Sequence, residues 1–102
     1  MRILKNIHPG EVLKEEFLEP MGITVYRLSK ETGLSQTRIS QIVKGERSIT
    51  AETALKLGKF FSVPVEFWMK LQALYDIEEA QKRYKKDIES IHTFSDSKRA
   101  AA

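Results

Sequence analysis

The chain has 102 residues, of which 41% are hydrophobic and 30% are charged; this length suits one domain with a modest core, and the composition excludes wholesale disorder. It has no cysteine, which excludes disulfides, thiolate metal sites and thiol nucleophiles. Its 17 Lys and Arg against 14 Asp and Glu give a net charge of +3, which permits nucleic-acid binding without requiring it. No apolar run approaches the roughly 20 residues that cross a bilayer, and residues 1–10 lack a secretion signal, so we expect no membrane contact and a cytoplasmic location.

Five helices are predicted, with no strand pattern and no internal repeat. The first begins after Pro9 and ends at Pro20 and Gly22. Its apolar residues share one helical face: Val12, Leu13, Phe17 and Leu18. Thr24 is a suitable N-cap for the second helix, which ends near Gly33.

A third helix begins at Ser35, which is also a suitable N-cap. Ile39 and Ile42 recur at helical spacing and face the core, while polar residues occupy the outer side. Residues 24–45 therefore have the layout of a helix-turn-helix, with Gly33 where the turn needs a left-handed backbone.

A fourth helix follows the N-cap Thr50, and Gly58 inside it indicates a close helix contact. The fifth helix is the longest and is predicted over about residues 64–91. Its first half is dense in apolar residues that fit a core: Phe67, Trp68, Leu71, Leu74 and Tyr75. We expect one domain over residues 1–92 and a flexible tail over residues 93–102.

The outer face of the third helix carries side chains suited to reading DNA. The major groove admits one α-helix, and its base edges distinguish all four pairs. Glutamine pairs bidentately with adenine, while arginine reads guanine or holds a phosphate. The candidate base-reading residues are Gln36, Thr37 and Gln41, with Arg38 and Ser40 beside them. Phosphate contacts need donors at the edge of the helix-turn-helix surface. The candidates, which include the amides at the helix N-termini, are Thr24, Tyr26, Ser35, Lys44 and Arg47.

The alternative to DNA reading is a helical hairpin whose Gln, Thr and Ser side chains only face water. The hinge at Gly33 and the paired spacing of the two helices favour the helix-turn-helix. A catalytic function has little support, because His8 and His92 lie near opposite ends of the chain and no nucleophile elbow or phosphate loop is present. We therefore expect no enzymatic activity, no cofactor and no metal.

Three stretches extend the pattern beyond a helix-turn-helix: HPGEVLKEEFLEPMGIT at residues 8–24, TGLSQTRISQIVKGERSITAETALKL at 32–57 and FWMKLQALYDIEEA at 67–80. Through them the chain resembles the HigA-type, or VapI-type, antitoxins of the lambda-repressor-like (Xre-type) helix-turn-helix superfamily. The resemblance implies an all-α fold, a five-helix lambda-repressor-like DNA-binding domain with an extended C-terminal helix. It also implies a homodimer that binds double-stranded DNA at a palindromic operator, represses its own operon and neutralises a HigB-type ribonuclease toxin.

Carried over by the resemblance, the base-reading positions of the superfamily fall on Gln36, Thr37 and Gln41. The chain departs from the family pattern at two other positions. Val63 stands where many relatives have a small capping residue, and Gly58 stands where alanine is usual. Both departures concern helix geometry rather than function.

A second subunit is expected, because one helix in one groove reads too few bases for selective binding, and such proteins pair half-sites about 34 Å apart. The late half of the fifth helix carries a thin apolar stripe, which is the candidate subunit contact: Ile77, Tyr84, Ile88 and Ile91. The alternative is that this stripe packs back onto the first helix.

The first helix carries acidic residues that a basic toxin would contact, namely Glu11, Glu15, Glu16 and Glu19. The alternative for them is a solvated face, and their spacing does not suggest a shared catalytic pocket. Two other functions stay open at this point. One is a protein-binding module in which DNA binding is secondary or lost, and the other is a stand-alone Xre-type transcriptional repressor without a toxin partner.

Overall fold

The computed structural model describes residues 5–95, and helices are the only regular elements within that range. The first helix, α1, has an α-helical turn (Pro9–Val12), a π-helical segment (Leu13–Leu18) and a final α-helical turn (Glu19–Met21). The others are α2 (Val25–Thr32), α3 (Gln36–Val43), α4 (Ala51–Phe61), α5 (Val65–Arg83) and α6 (Lys85–Glu89). In residues 5–95, no helix combines the length and apolarity that crossing a membrane requires.

The predicted all-α fold, with its helix-turn-helix and long C-terminal helix, is confirmed. The C-terminal helix differs in one respect, because it does not run without a break to residue 91. It ends at Arg83, and the short α6 follows after Tyr84, whose φ of −109° and ψ of 20° are not helical. The tail predicted over residues 93–102 falls mostly on residues 96–102, which lie outside the described residues.

Pro20 lies in the last turn of α1 and does not end it, so the prediction is wrong for Pro20 and right for Gly22. A proline inside a helix has no N–H to donate, and its ring crowds the carbonyl one turn earlier. The residues before Pro20 adopt the wider π-helical geometry, in which the N–H of Glu19 donates to the carbonyl of Lys14, five residues back. The helix ends at Gly22, whose φ of 66° is left-handed.

Hydroxyl side chains begin the three helices around the turn. Thr24 Oγ1 and Ser35 Oγ each accept a hydrogen bond of 3.0 Å from the amide three residues ahead. Thr50 Oγ1 accepts the equivalent bond at 3.4 Å. Each bond satisfies an amide that has no carbonyl partner within its own helix. The predicted N-caps are confirmed, as is the left-handed turn at Gly33, whose φ is 80°.

The core is centred on Trp68, which α5 places among aromatic rings of its neighbours. The centroid of its ring lies 5.0 Å from that of Phe17, 6.4 Å from that of Phe61 and 5.0 Å from that of Phe67. Leu74 is 65% exposed, so its assignment to the core is wrong. At about 100° per residue, it lies roughly 120° around α5 from Trp68. The other buried hydrophobic side chains are Leu13, Leu18, Leu28, Leu34, Ile39, Ile42, Ile49, Ala54 and Leu57.

The two departures from the family pattern, Gly58 and Val63, are in contact with each other. The N–H of Val63 donates to the carbonyl of Gly58 at 3.0 Å. A Cβ added to Gly58 would come within 2.7 Å of the Val63 carbonyl oxygen, so alanine would push α4 away from the turn into α5. A close contact at Gly58 is therefore confirmed, but its nearest partner is the backbone of that turn rather than a packed helix face.

Gly10 brings the start of α1 directly against the end of α3. A Cβ added to Gly10 would overlap the carbonyl group of Ile42. The same carbonyl accepts a hydrogen bond of 2.9 Å from the N–H of Gly45, which ends α3. Only a residue without a side chain fits at position 10, because both partners in the contact are backbone.

We expect Gly10→Ala to lower the free energy of unfolding by about 2–3 kcal/mol, because the added methyl group forces α1 away from α3. Gly22→Ala is the matched control. Its Cβ would meet nothing within 4 Å, so only the strain of a left-handed residue remains, at about 1 kcal/mol. Urea unfolding followed by the fluorescence of Trp68 measures both, and equal losses for the two variants would contradict the role of Gly10.

Candidate nucleic-acid interface

The outer face of α3 is a continuous polar surface. Gln36 and Thr37 in its first turn are exposed, and Ser40 and Gln41 in its second half are partly exposed. The opposite face is buried through Ile39. The helix thus brings four of the predicted base-reading residues together on one side, where a groove of DNA has access to them.

Arg38, the fifth predicted base reader, is directed towards α4. Its Nη1 lies 3.1 Å from Oε1 of Glu52, and Oε2 of Glu52 lies 2.8 Å from Nζ of Lys56. Hydrogen bonds from Lys56 and then from Arg38 hold the pKa of the Glu52 carboxyl below its ordinary value. Water reaches all three side chains, so they add little to stability. The ion pair with Glu52 does hold the Arg38 guanidinium at the edge between α3 and α4.

Arg47 contacts Gln41, a pairing that sequence reasoning did not find. Its Nε donates a hydrogen bond of 2.8 Å to Oε1 of Gln41. Arg47 lies in the loop between α3 and α4, and that loop returns to α3 through backbone bonds. Glu46 donates to the carbonyl of Gln41 at 2.8 Å, and Gly45 to that of Ile42 at 2.9 Å. From the sequence alone, Arg47 is a candidate only for phosphate contact. Its pairing with Gln41 depends on the path of the loop, which residue spacing does not reveal.

Gln72 of α5 stabilises the same loop from inside the molecule. It is 5% exposed, and its Oε1 accepts a hydrogen bond of 2.7 Å from the N–H of Ile49. Its Nε2 donates to Oδ1 of Asp76 at 2.9 Å. A buried loop amide is thereby satisfied. The one sequence signal for this role is that Gln72 lies four residues after Trp68, on the core side of α5.

The candidate phosphate-binding residues lie at the ends of α2 and α3. Thr24 and Ser35 cap these helices, and the N-terminus of a helix favours an anion because its first amides lack carbonyl partners within the helix. Tyr26 in the first turn of α2 is exposed, and Lys44 is exposed at the end of α3. Arg47 is exposed in the following loop, where it also contacts Gln41. Their role with phosphate stays a prediction.

His8 connects the start of α1 with the end of α3 and with α5. Its Nδ1 accepts a hydrogen bond of 2.8 Å from the N–H of Gly10. The ring lies edge-on to that of Tyr75, with centroids 4.8 Å apart, and a Cβ added to Gly45 would lie 3.7 Å from its Cγ. Burial lowers the pKa of His8 below its ordinary value, although two nearby carboxylates oppose the shift. A neutral imidazole at this position therefore holds three elements together.

The apolar stripe of the C-terminal helices does not pack onto α1. Its four residues are between 45% and 68% exposed: Ile77, Tyr84, Ile88 and Ile91. Leu74 lies three residues before Ile77, on the same side of α5, and extends the stripe. The described part of the chain is 63 Å along its longest axis, since these helices project beyond the core. The alternative of packing back onto the first helix is therefore wrong.

The acidic residues of α1 differ in their surroundings. Nζ of Lys5 lies 3.0 Å from Oε1 of Glu11, and Nζ of Lys14 lies 3.9 Å from Oε2 of Glu19. The other two, Glu15 and Glu16, are exposed in the middle of the π-helical segment. They are the acidic pair of α1 that is most open to a partner, and toxin binding at this helix stays a prediction.

Comparison with known proteins places this architecture in a family. A family model described as helix-turn-helix matches residues 14–68, from the middle of α1 to Trp68. The chain belongs to this helix-turn-helix family. The match includes α2, the Gly33 turn and α3, which confirms the predicted helix-turn-helix layout. Virulence-associated protein I of Dichelobacter nodosus is 44% identical over 75 residues, which cover 74% of this chain and 69% of that protein.

Two solved structures are similar over most of the chain. An addiction module antidote protein of a HigA family from Coxiella burnetii has a TM-score of 0.83 and 41% identity, covering 89% of this chain and 100% of that one. The antitoxin HigA of Pseudomonas aeruginosa, solved with the higBA promoter, has a TM-score of 0.85 and 34% identity, covering 88% and 99%. The resemblance to HigA-type and VapI-type antitoxins is confirmed.

His8 gives the stability of the fold a pH dependence of defined sign. Burial keeps its pKa in the folded chain below the ordinary value of 6.5, despite the opposing charges of Asp76 and Glu11. The unfolded chain therefore binds the proton more readily, and the free energy of unfolding falls as pH drops below about 6.5. Urea midpoints at about pH 5 and about pH 7 measure the effect.

His8→Asn removes the titrating group and keeps a side chain that caps helices well, so its urea midpoint should change less between the two pH values. His92→Asn, at an exposed position, is the matched control and should behave like the original chain. An identical pH dependence in the original chain and in the His8→Asn variant would show that this imidazole is not responsible.

Proposed function

We propose that this chain is a sequence-specific DNA-binding antitoxin that represses its own operon and neutralises a HigB-type ribonuclease toxin. The observation that carries the DNA-binding part is the exposed polar face of α3, a helix capped by Ser35 and held at its other end by the contact with Gly10. A rigid helix with amide and hydroxyl side chains outward matches what base reading in the major groove requires. The HigA of Pseudomonas aeruginosa, which was solved with a promoter, supports the proposal.

In this proposal α3 enters the major groove and the helix ends bind the backbone. Gln36, Thr37 and Gln41 contact base edges, and Ser40 lies beside them. Arg38 binds phosphate, because its pairing with Glu52 draws it to the rim. The remaining phosphate contacts come from Thr24, Tyr26, Ser35 and Lys44. These contacts set the position of α3 on the duplex, while the base contacts select the sequence.

We also propose that two copies associate through the apolar stripe of α5 and α6. A pair of copies places two α3 helices on half-sites about 34 Å apart, which accounts for a palindromic operator. The support is the exposure of Ile77, Tyr84, Ile88 and Ile91 on helices that project from the core. Removing such a stripe from water is favourable, at roughly 25 cal/mol per Å² of apolar surface.

Toxin neutralisation is supported by the similarity to HigA antitoxins. The surface that we assign to it is the exposed acidic pair Glu15 and Glu16 on α1, which complements a basic ribonuclease. Charge reversal of both residues that leaves toxin binding unchanged would remove α1 from this proposal. A short reading frame for a basic protein beside the gene favours the antitoxin, and its absence favours the alternative of a stand-alone repressor.

The double variant Gln36→Ala and Gln41→Ala should reduce discrimination between operator and random DNA by about 2–4 kcal/mol, because each bidentate base contact contributes about 1–3 kcal/mol. Affinity for random DNA should stay nearly the same, since phosphate contacts supply it. Fluorescence anisotropy with both duplexes at one salt concentration measures the difference. Gln81→Ala, exposed on α5, is the control. Equal losses on the two duplexes would contradict the assignment of base reading to α3.

The double variant Ile77→Glu and Ile88→Glu should sediment as a monomer at micromolar concentration, because charges of one sign would meet across the stripe. The unsubstituted chain should sediment as a dimer under the same conditions. Leu55→Glu introduces the same charge at an exposed leucine of α4 and should remain dimeric. A monomeric unsubstituted chain would reject the dimer, and a dimeric double variant would move the interface to another surface.

A further inference from the structure

We propose that Arg47 is a positioning residue for sequence selection, which makes Gln41 read guanine where an unrestrained glutamine would read adenine. This inference rests on the DNA-binding function proposed above. Arg47 lies outside α3, in the loop that follows it, and acts on the base through the orientation of the Gln41 amide.

The chemistry of the contact decides which end of the amide faces Arg47. A guanidinium group has five N–H donors and no acceptor. The 2.8 Å contact from its Nε must therefore reach the amide oxygen of Gln41. Since the amide is planar, the Nε2 group with its two donors points away from the guanidinium. Because the guanidinium is a rigid planar fork, one Nη–H group lies parallel to Nε–H and brings a further donor to the same side.

The loop holds Arg47 in place on both sides. Before it, Glu46 donates to the carbonyl of Gln41 at 2.8 Å, and Gly45 has a left-handed φ of 79°. After it, the N–H of Ile49 donates to the buried Oε1 of Gln72 at 2.7 Å. The backbone at position 47 is thus held against both α3 and α5. Orienting the guanidinium on Gln41 therefore requires little further ordering when DNA binds.

This orientation changes the base edge that Gln41 matches. To read adenine, a glutamine accepts from N6–H with Oε1 and donates to N7 with Nε2. Here Oε1 already accepts from Arg47, and the adenine amino group would bring another donor next to the guanidinium donors. Guanine presents two acceptors, O6 and N7, in the same part of the groove. With its Nε2 group outward, Gln41 donates to one of these acceptors, and no donor of the base then faces the guanidinium of Arg47.

A phosphate contact is the competing role of Arg47, and it has a different signature. A residue that binds only phosphate weakens binding to all sequences about equally and lowers the slope of log affinity against log salt by about one when it is removed. A positioning residue changes the base preference at one position of each half-site. The two roles are therefore separated by sequence selection and not by affinity alone.

The experiment selects binding sites from duplexes in which both half-sites are randomised, using the full chain. It compares the unsubstituted chain with Arg47→Met, Arg47→Lys and Gln41→Ala, and with Arg27→Met, an exposed arginine of α2, as the matched control. Gln41→Ala should lose its base preference at one position of each half-site. At that position we expect the unsubstituted chain to select guanine. At that position Arg47→Met and Arg47→Lys should lower the ratio of guanine to adenine by about tenfold, the size of one base contact. Other positions should not change, and Arg27→Met should keep the original preference.

Three results would overturn the proposal. Adenine at the Gln41 position in the unsubstituted chain contradicts the orientation argument. Guanine that persists in Arg47→Met, with uniformly weaker binding, assigns Arg47 to phosphate. No selection of any sequence by the unsubstituted chain overturns the proposed DNA-binding function itself and this inference with it. Circular dichroism of each variant verifies folding, and Arg47→Lys keeps the charge, so neither unfolding nor lost charge accounts for a changed preference.

Discussion

The contact between Gly10 and the carbonyl of Ile42 is the constraint on which the rest of the structure depends. It joins backbone to backbone, so the distance between α1 and the end of α3 is set without a side chain that relaxes. His8 adds to the same junction, because its ring contacts that of Tyr75 of α5 and lies near Gly45, which follows α3. Three elements that are distant in the chain therefore meet at the C-terminal end of α3.

A second constraint acts on the loop after α3. Gln72 is a polar side chain in an otherwise apolar part of α5, and it accepts the N–H of Ile49 where no backbone carbonyl does so. The solvent-accessible pairs around α3, from Arg38 to Glu52 and from Arg47 to Gln41, contribute little to stability because water competes for them. Their effect is on orientation, since they determine where side-chain donors and acceptors point on and beside the polar face of α3.

Local signals in the sequence were sufficient where the determining interaction is local. The caps Thr24 and Ser35 bond amides three residues away, and Gly33 adopts the left-handed conformation that its position requires. Leu74 and Pro20 were misassigned for related reasons. Leu74 is apolar within a dense apolar run, yet the direction of the core from α5 decides its exposure. Proline usually breaks a helix, yet the π-helical segment before Pro20 accommodates its ring.

The sequence by itself determined the helices, their caps, the turn and the polar face of α3, because these depend on periodicity and on contacts within four residues. The family resemblance added the antitoxin class. Only the tertiary structure decided that Gly10 lies on Ile42, that Gln72 satisfies a loop amide 23 residues earlier in the chain, and that Arg47 holds Gln41. Such contacts depend on how helices cross and on the path of a loop, and residue spacing does not encode either one.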